Sequence, residues 1–134
     1  MRIHIVAGMI HRDICKEMID AAKRTAPNLG IVIDKIVWVP GSLEAPLAVQ
    51  TAIKNDRPDG IVVFGVQQKG KTNHGEVIAH QVTSKLLDIQ LAFTMPMAIA
   101  IIGPGATLEH AQNKAVRTAE KALRAIAHMM DMHR

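Results

Sequence analysis

Tyrosine is absent from these 134 residues, and two Phe and one Trp are the whole aromatic complement. A protein that holds single-stranded nucleic acid by stacking bases on rings would have few platforms here, so nucleic acid is not an expected partner. The single cysteine, Cys15, can form neither an internal disulfide nor a cysteine zinc site, which points to a reducing, cytoplasmic setting. The longest apolar run, near Ala98–Ile102, falls far short of the ~20 residues needed to cross a bilayer, so no membrane partner is expected. No charged start followed by an apolar stretch and a small-residue cleavage site is visible, so no secretory signal is expected. With 49% apolar and 21% charged residues, disorder and collagen-like repeats are excluded.

What the chain does have is basic charge without basic runs. Sixteen Lys+Arg against twelve Asp+Glu gives +4 with neutral histidines, a balance that suits an anionic partner. The length fits one domain, expected over residues 1–134.

Four β-type runs alternate with four helical stretches. Strands are expected at Ile3–Ala7, Ile31–Val39, Ile61–Val66 and Met97–Ile102. Helices are expected at Arg12–Thr25, Glu44–Lys54, about His74–Leu91 and Thr107–Met130. In the first helix Ile14, Met18 and Ala22 fall on one face. Pro46 is tolerable only in the first turn of the second. Gly103-Pro104-Gly105 reads as the end of the fourth strand. Continuous apolar strands joined by helices argue for an α/β fold, a parallel sheet covered on both faces in three α/β/α layers. Ligands of such sheets bind outside the carboxyl ends of the strands. The loops there are Gly8–Arg12, Pro40–Glu44, Val66–His74 and Gly103–Thr107, which hold the least ordinary residues of the chain.

In the third of these loops, Gly70, Lys71 and Thr72 stand just before a helix, whose free N–H groups attract anions; a lysine and a hydroxyl beside them would complete a phosphate cradle. The GxxxxGK[ST] spacing of a Walker A loop is missing. His74 opens that helix, where the dipole favours the neutral, proton-accepting imidazole, and a histidine there suits general acid–base work. His74 and His80 are six apart and face differently, so no metal pair is read. In the second loop, Ser42 and Glu44 leave the strand at the same edge; a carboxylate with exposed amides suits a polyol or pyrimidine edge, or simply caps a helix. Thr107 is a plausible cap for the last helix.

Together these loops resemble the 6,7-dimethyl-8-ribityllumazine synthases of riboflavin synthesis, especially the short archaeal form. The segment Val39-Pro40-Gly41-Ser42-Leu43-Glu44-Ala45-Pro46-Leu47-Ala48 looks like the family's VPG(A/V)(F)(E/D)xPLA signature. Gly70-Lys71-Thr72-Asn73-His74 is similar to its G(E/A)TxH signature, and Gly103-Pro104-Gly105 with Ala111-Gln112-Asn113-Lys114 to its archaeal GPG…AQxR segment. The resemblance implies a four-stranded sheet of flavodoxin-like order 2-1-3-4. It also implies condensation of 5-amino-6-ribitylamino-uracil with 3,4-dihydroxy-2-butanone 4-phosphate, without cofactor or metal. By the same resemblance, His74 is the proton-transfer residue. Gly70, Lys71 and Thr72 contact phosphate, Lys114 stands where an arginine binds phosphate, and Ser42, Leu43 and Glu44 hold the ribityl chain and pyrimidine. The family forms homopentamers with sites shared between neighbours, some packed into an icosahedral 60-mer.

Five departures accompany the likeness. Ile10 replaces a stacking aromatic and His11 an asparagine in the first loop. Gln67 and Gln68 replace an apolar pair, Leu43 a phenylalanine, and Lys114 the arginine. They leave a non-catalytic pentameric relative of the same fold as the alternative reading. On the last helix, Ala111, Ala115, Ala119, Ala122 and Ile126 form one apolar stripe, and Val116, Leu123, Ala127 and Met130 a second. A second stripe predicts a helix partner beyond the monomer.

Overall fold

The computed structural model describes residues 1–68 and 70–133; Lys69, in the polar stretch after the third strand, and Arg134 lie outside the described residues. Strands β1 (Arg2–Gly8), β2 (Val32–Val39), β3 (Gly60–Gln68) and β4 (Met97–Ala106) pair in parallel in the expected order, β2-β1-β3-β4. Between and after them run α1 (Arg12–Thr25), α2 (Ala45–Asp56), α3 (His74–Phe93) and α4 (Leu108–Met132). Short 3₁₀ turns at Ala26–Leu29 and Ser42–Glu44 lead into β2 and α2.

Both faces of the sheet are covered, which is why its strands read as unbroken apolar runs. Val62, Phe64 and Val66 of β3 join Ile3 and Ile5 in one cluster with residues of α1 and α4. Ile61 and Val63, one step out of phase, join Val49 and Ile53 of α2 and Val82 and Leu86 of α3. Fully buried side chains such as Leu86, Leu123 and Ile126 each stabilise the fold by roughly 1.5–3 kcal/mol relative to exposure.

Two expectations are corrected. The second stripe of α4 is not an outward face, because Leu123, Ala127 and Met130 lie in the same core cluster as the alanine stripe, and only Val116 is exposed. α4 packs against α1 as well as β3 and β4, so a broad apolar face is used up within the monomer. Apolar surface is left exposed on α3 instead, at Val77, Leu87 and Leu91. The second correction concerns Gly103-Pro104-Gly105, which does not end β4. Both glycines adopt positive φ (+104° and +88°), and the strand continues to Ala106, which pairs with Gln68 across a register shift. Glycines that tolerate positive φ carry a bulge as well as a chain break. β3 is correspondingly longer than its apolar run.

The chain leaves β1 towards β2 and β3 towards β4. The loops after these two central neighbours therefore diverge and open a crevice at the carboxyl edge of the sheet.

Candidate active site

The loops after β1 and β2 are locked together. Met9 N–H donates to the Val39 carbonyl at 2.8 Å, and Ile10 Cδ1 lies 3.3 Å from where a Cβ on Gly41 would stand. Glu44 Oε2 is 3.6 Å from that same point, so Ile10 and Glu44 flank Gly41. Ile10 and Leu43 remain largely exposed, at 59% and 63%. Ser42 is half-buried and turns inward, its Oγ 3.6 Å from the Cβ position of Gly65 in β3.

His11 has a backbone role that the sequence reading missed. It sits in the left-handed region (φ 55°, ψ 49°) as the N-cap of α1, and its carbonyl accepts from Ile14 and Cys15 N–H at 3.0 and 3.2 Å. Asparagine and histidine are among the non-glycine residues enriched in that conformation. The next residue, Arg12, lays its guanidinium 4.5 Å from the centroid of Trp38, the one indole of the chain. Behind this loop, burial pushes the Cys15 thiol up to about 11, so it stays protonated near neutral pH.

On the β3 side, Gln68, Gly70 and Thr72 line a pocket of about 230 Å³ together with Asn73, Gly75, Glu76, Pro104 and Gly105. Thr72 Oγ1 accepts from His74 N–H at 3.3 Å, fixing the entry to α3. His74 is exposed at the helix start, and Lys71 is exposed beside it. Gln67 is gripped between two glycines. Its Nε2 lies 3.1 Å from the Cβ position of Gly75, and a Cβ on Gly103 would strike its backbone carbonyl. These close approaches account for the strand pairing that carries Gln68 to the pocket.

The fold does not bring every candidate to one place. Lys114 is half-buried on α4 and is not among the residues lining the Gln68–Thr72 pocket. Glu76 was missed; its carboxylate faces His80 Nε2 at 3.6 Å one turn on, and its place in the first turn after the loop was the available signal. Pro104 and Gly105 belong to a loop the sequence places at the carboxyl edge, and they line the pocket although they are not among the expected site residues. Among the described residues no group of three or more His, Cys, Asp or Glu side chains is arranged to hold a metal ion. Thr107 does cap α4, its hydroxyl accepting from His110 N–H at 3.1 Å.

Comparison with known proteins agrees with this architecture. A 6,7-dimethyl-8-ribityllumazine synthase of Staphylothermus marinus is 37% identical over 130 residues, covering 97% of this chain and 87% of the relative. One from Metallosphaera sedula is 37% identical over 138 aligned positions, covering 98% and 91%, and one from Picrophilus torridus is 36% identical over 105, covering 78% and 77%. The sequence model of 6,7-dimethyl-8-ribityllumazine synthase matches residues 1–134 from end to end, and the chain belongs to that family.

Proposed function

We propose that this protein condenses 5-amino-6-ribitylamino-uracil with 3,4-dihydroxy-2-butanone 4-phosphate, giving 6,7-dimethyl-8-ribityllumazine, inorganic phosphate and water. The observation that carries this reading is the convergence of three loops on one sheet edge: Ile10 against Gly41 and Glu44, Ser42 turned towards β3, and the Gln68–Gly70–Thr72 pocket across the crevice.

The chemistry asks little beyond positioning and proton transfer. The amine attacks the ketone and loses water to form an imine, phosphate leaves, and the ribitylamino nitrogen closes the ring on the remaining carbonyl with loss of a second water. Holding two substrates in register supplies much of the acceleration. His74, exposed at the N-terminus of α3, is the residue to which this reading assigns proton transfer. The helix N-terminus with Gly70, Lys71 and Thr72 suits the phosphate. Ser42, Leu43 and Glu44 suit the ribityl hydroxyls and pyrimidine edge, with Ile10, Gln67 and Gln68 as walls and His11 holding the first loop in shape.

Lys114 supports a shared site. It is not among the residues that line the pocket holding Thr72, which accords with its being supplied by a second copy. The apolar side chains of Val77, Leu87 and Leu91 on α3 offer a contact face for such a copy. A closed ring with heterologous contacts, the homopentamer, satisfies both. No described helix is long and apolar enough to cross a membrane, and a cytoplasmic setting accords with the single unpaired cysteine.

The test is turnover of the two substrates followed by the ultraviolet absorbance of the lumazine, with light scattering on the same sample. Product formation by a particle of five chain masses supports the reading. No product at high enzyme concentration favours a non-catalytic scaffold, and a 14.6 kDa monomer removes the shared site.

A further inference from the structure

The loop after β1 stands on two consecutive residues of β2. At one end Met9 N–H donates to the Val39 carbonyl at 2.8 Å. At the other, the Arg12 guanidinium lies 4.5 Å from the centroid of the Trp38 ring. Between these two anchors are Ile10, which rests against Gly41, and His11, left-handed at φ 55°. Trp38 pairs with Ala7 in the sheet and is half-buried against the core on the α1 side, so its ring is a fixed platform.

The helix does not account for an arginine at this position. Arg12 opens α1, and a cation in the first turn opposes the helix dipole. Among the described residues no carboxylate pairs with it. A guanidinium over an aromatic face is attracted by the ring quadrupole, most strongly over tryptophan. Trp38 is the one indole of the chain, and it stands where Arg12 can use it.

The geometry points to Arg12 and Trp38 as positioning residues for the pyrimidine wall, an inference that rests on the proposed condensation. Their stack holds the turn at His11 and thereby keeps Ile10 over Gly41 at the mouth of the crevice. Both act through Ile10 and neither touches substrate.

Steady-state kinetics on the full-length protein, with each substrate varied in turn, tests the role in the site. A cation–π contact at an exposed position corresponds to about two- to fivefold in an equilibrium. Arg12→Gln should raise KM for the pyrimidine by that factor, with kcat and KM for the butanone phosphate unchanged. Arg12→Lys, which keeps the charge, should return most of the loss. In an Ile10→Ala background Arg12→Gln should change nothing further. A guanidinium that touched the pyrimidine would keep its effect in that background, and one that touched phosphate would raise the other KM. Either result overturns the proposal.

Amide hydrogen exchange of the ligand-free protein tests the stack itself. Arg12→Gln should speed exchange of Met9 N–H about two- to fivefold and leave the buried β3 amides of Val62 and Val63 at the parent rate. In a Trp38→Leu background, where the platform is gone, Arg12→Gln should have no effect, and the same β3 amides report whether that variant is folded. Parent-rate exchange of Met9 in Arg12→Gln overturns the proposal whether or not the protein forms lumazine. Absence of product from the parent protein, by contrast, counts against the condensation and leaves the exchange result to decide whether the stack holds the loop.

Discussion

Ile10 Cδ1 lies 3.3 Å from the point where a Cβ on Gly41 would stand, so the loop after β1 rests on the loop after β2. The contact places an aliphatic side chain, 59% exposed, at the mouth of the crevice where the family resemblance implies an aromatic stack. Ile10→Phe should therefore tighten the pyrimidine substrate. Base–aromatic stacking is worth ~1–3 kcal/mol, and replacing only an aliphatic contact should lower KM for the pyrimidine by about five- to tenfold. KM for the butanone phosphate should stay put. Steady-state kinetics with each substrate varied in turn checks this, and an equal change in both would remove Ile10 from the pyrimidine wall.

His74→Ala should lower turnover by about 10²–10⁴-fold with the fold intact, the usual loss for a proton-transfer group. Thr72→Val removes the acceptor of the 3.3 Å bond from His74 N–H. It should loosen the start of α3 and cost about 1 kcal/mol of stability. Circular dichroism melts alongside single-turnover rates separate the two effects. Parent-level turnover in His74→Ala would take it off the catalytic list.

Lys114→Ala should raise KM for the butanone phosphate far more than KM for the pyrimidine. Lys114→Arg should lower it below that of the parent, since a guanidinium binds phosphate through two bonds where an ammonium offers a point charge. Mixing Lys114→Ala with His74→Ala subunits gives the sharper check. If each site joins one chain's His74 to its neighbour's Lys114, mixed rings recover activity that neither variant has alone.

The layers were legible because β-branched runs alternate with helical periodicity, and those patterns answer directly to burial; the strand order came from the family resemblance. The site was legible as loops and only partly as geometry. That Ile10, Gly41 and Glu44 meet, or that Gln67 is gripped by Gly75 and Gly103, depends on strand register, which local sequence does not encode. Gly103 and Pro104 misled because the same residues end strands and bulge them, and only the partner strand decides which. α4 misled for a related reason: two stripes at helical spacing look like two partners, yet α1 and the sheet together occupy both. His4 gave no signal at all, since a histidine in an apolar strand has no recognisable spacing. Its setting comes from an Asp34 bulge thirty residues on.

That bulge makes stability depend on acid. The hydrogen bond from Arg2, helped by His4, holds the Asp34 carboxyl below the usual carboxylate range. A carboxyl depressed in the folded state contributes stability above its unfolded value of 3.8, and that contribution is lost as pH falls through the folded value. Asp34→Asn should therefore flatten the stability profile below about pH 4 and leave its slope near neutrality unchanged. Urea unfolding at stepped pH measures this. An unchanged acid limb would show that Arg2 binds Asp34 no better folded than unfolded.

The final prediction tests whether the bulge at the end of β4 builds the pocket. Gly103 has φ +104°, where an L side chain is strained, and a Cβ there would strike the Gln67 carbonyl. Backbone cannot swing aside as a side-chain tip does, so Gly103→Ala must move either β4 or the end of β3. The strain alone costs about 1–3 kcal/mol. Gly8, at the end of β1, has nothing within 4 Å of its Cβ position and no positive φ, so Gly8→Ala is the matched control and should be nearly neutral. The displacement should also reach function, because Gln68 pairs with Ala106 beyond the bulge and lines the pocket with Thr72 and Gly105. Gly103→Ala should thus weaken phosphate binding more than its stability loss explains, while a core variant such as Ile126→Ala, costing about 2–5 kcal/mol, spares phosphate affinity in the folded fraction. Phosphate titration of both variants by isothermal calorimetry, well below their melting temperatures, makes the comparison. Parent-like phosphate affinity in Gly103→Ala would separate the bulge from the site and leave it a feature of the sheet alone.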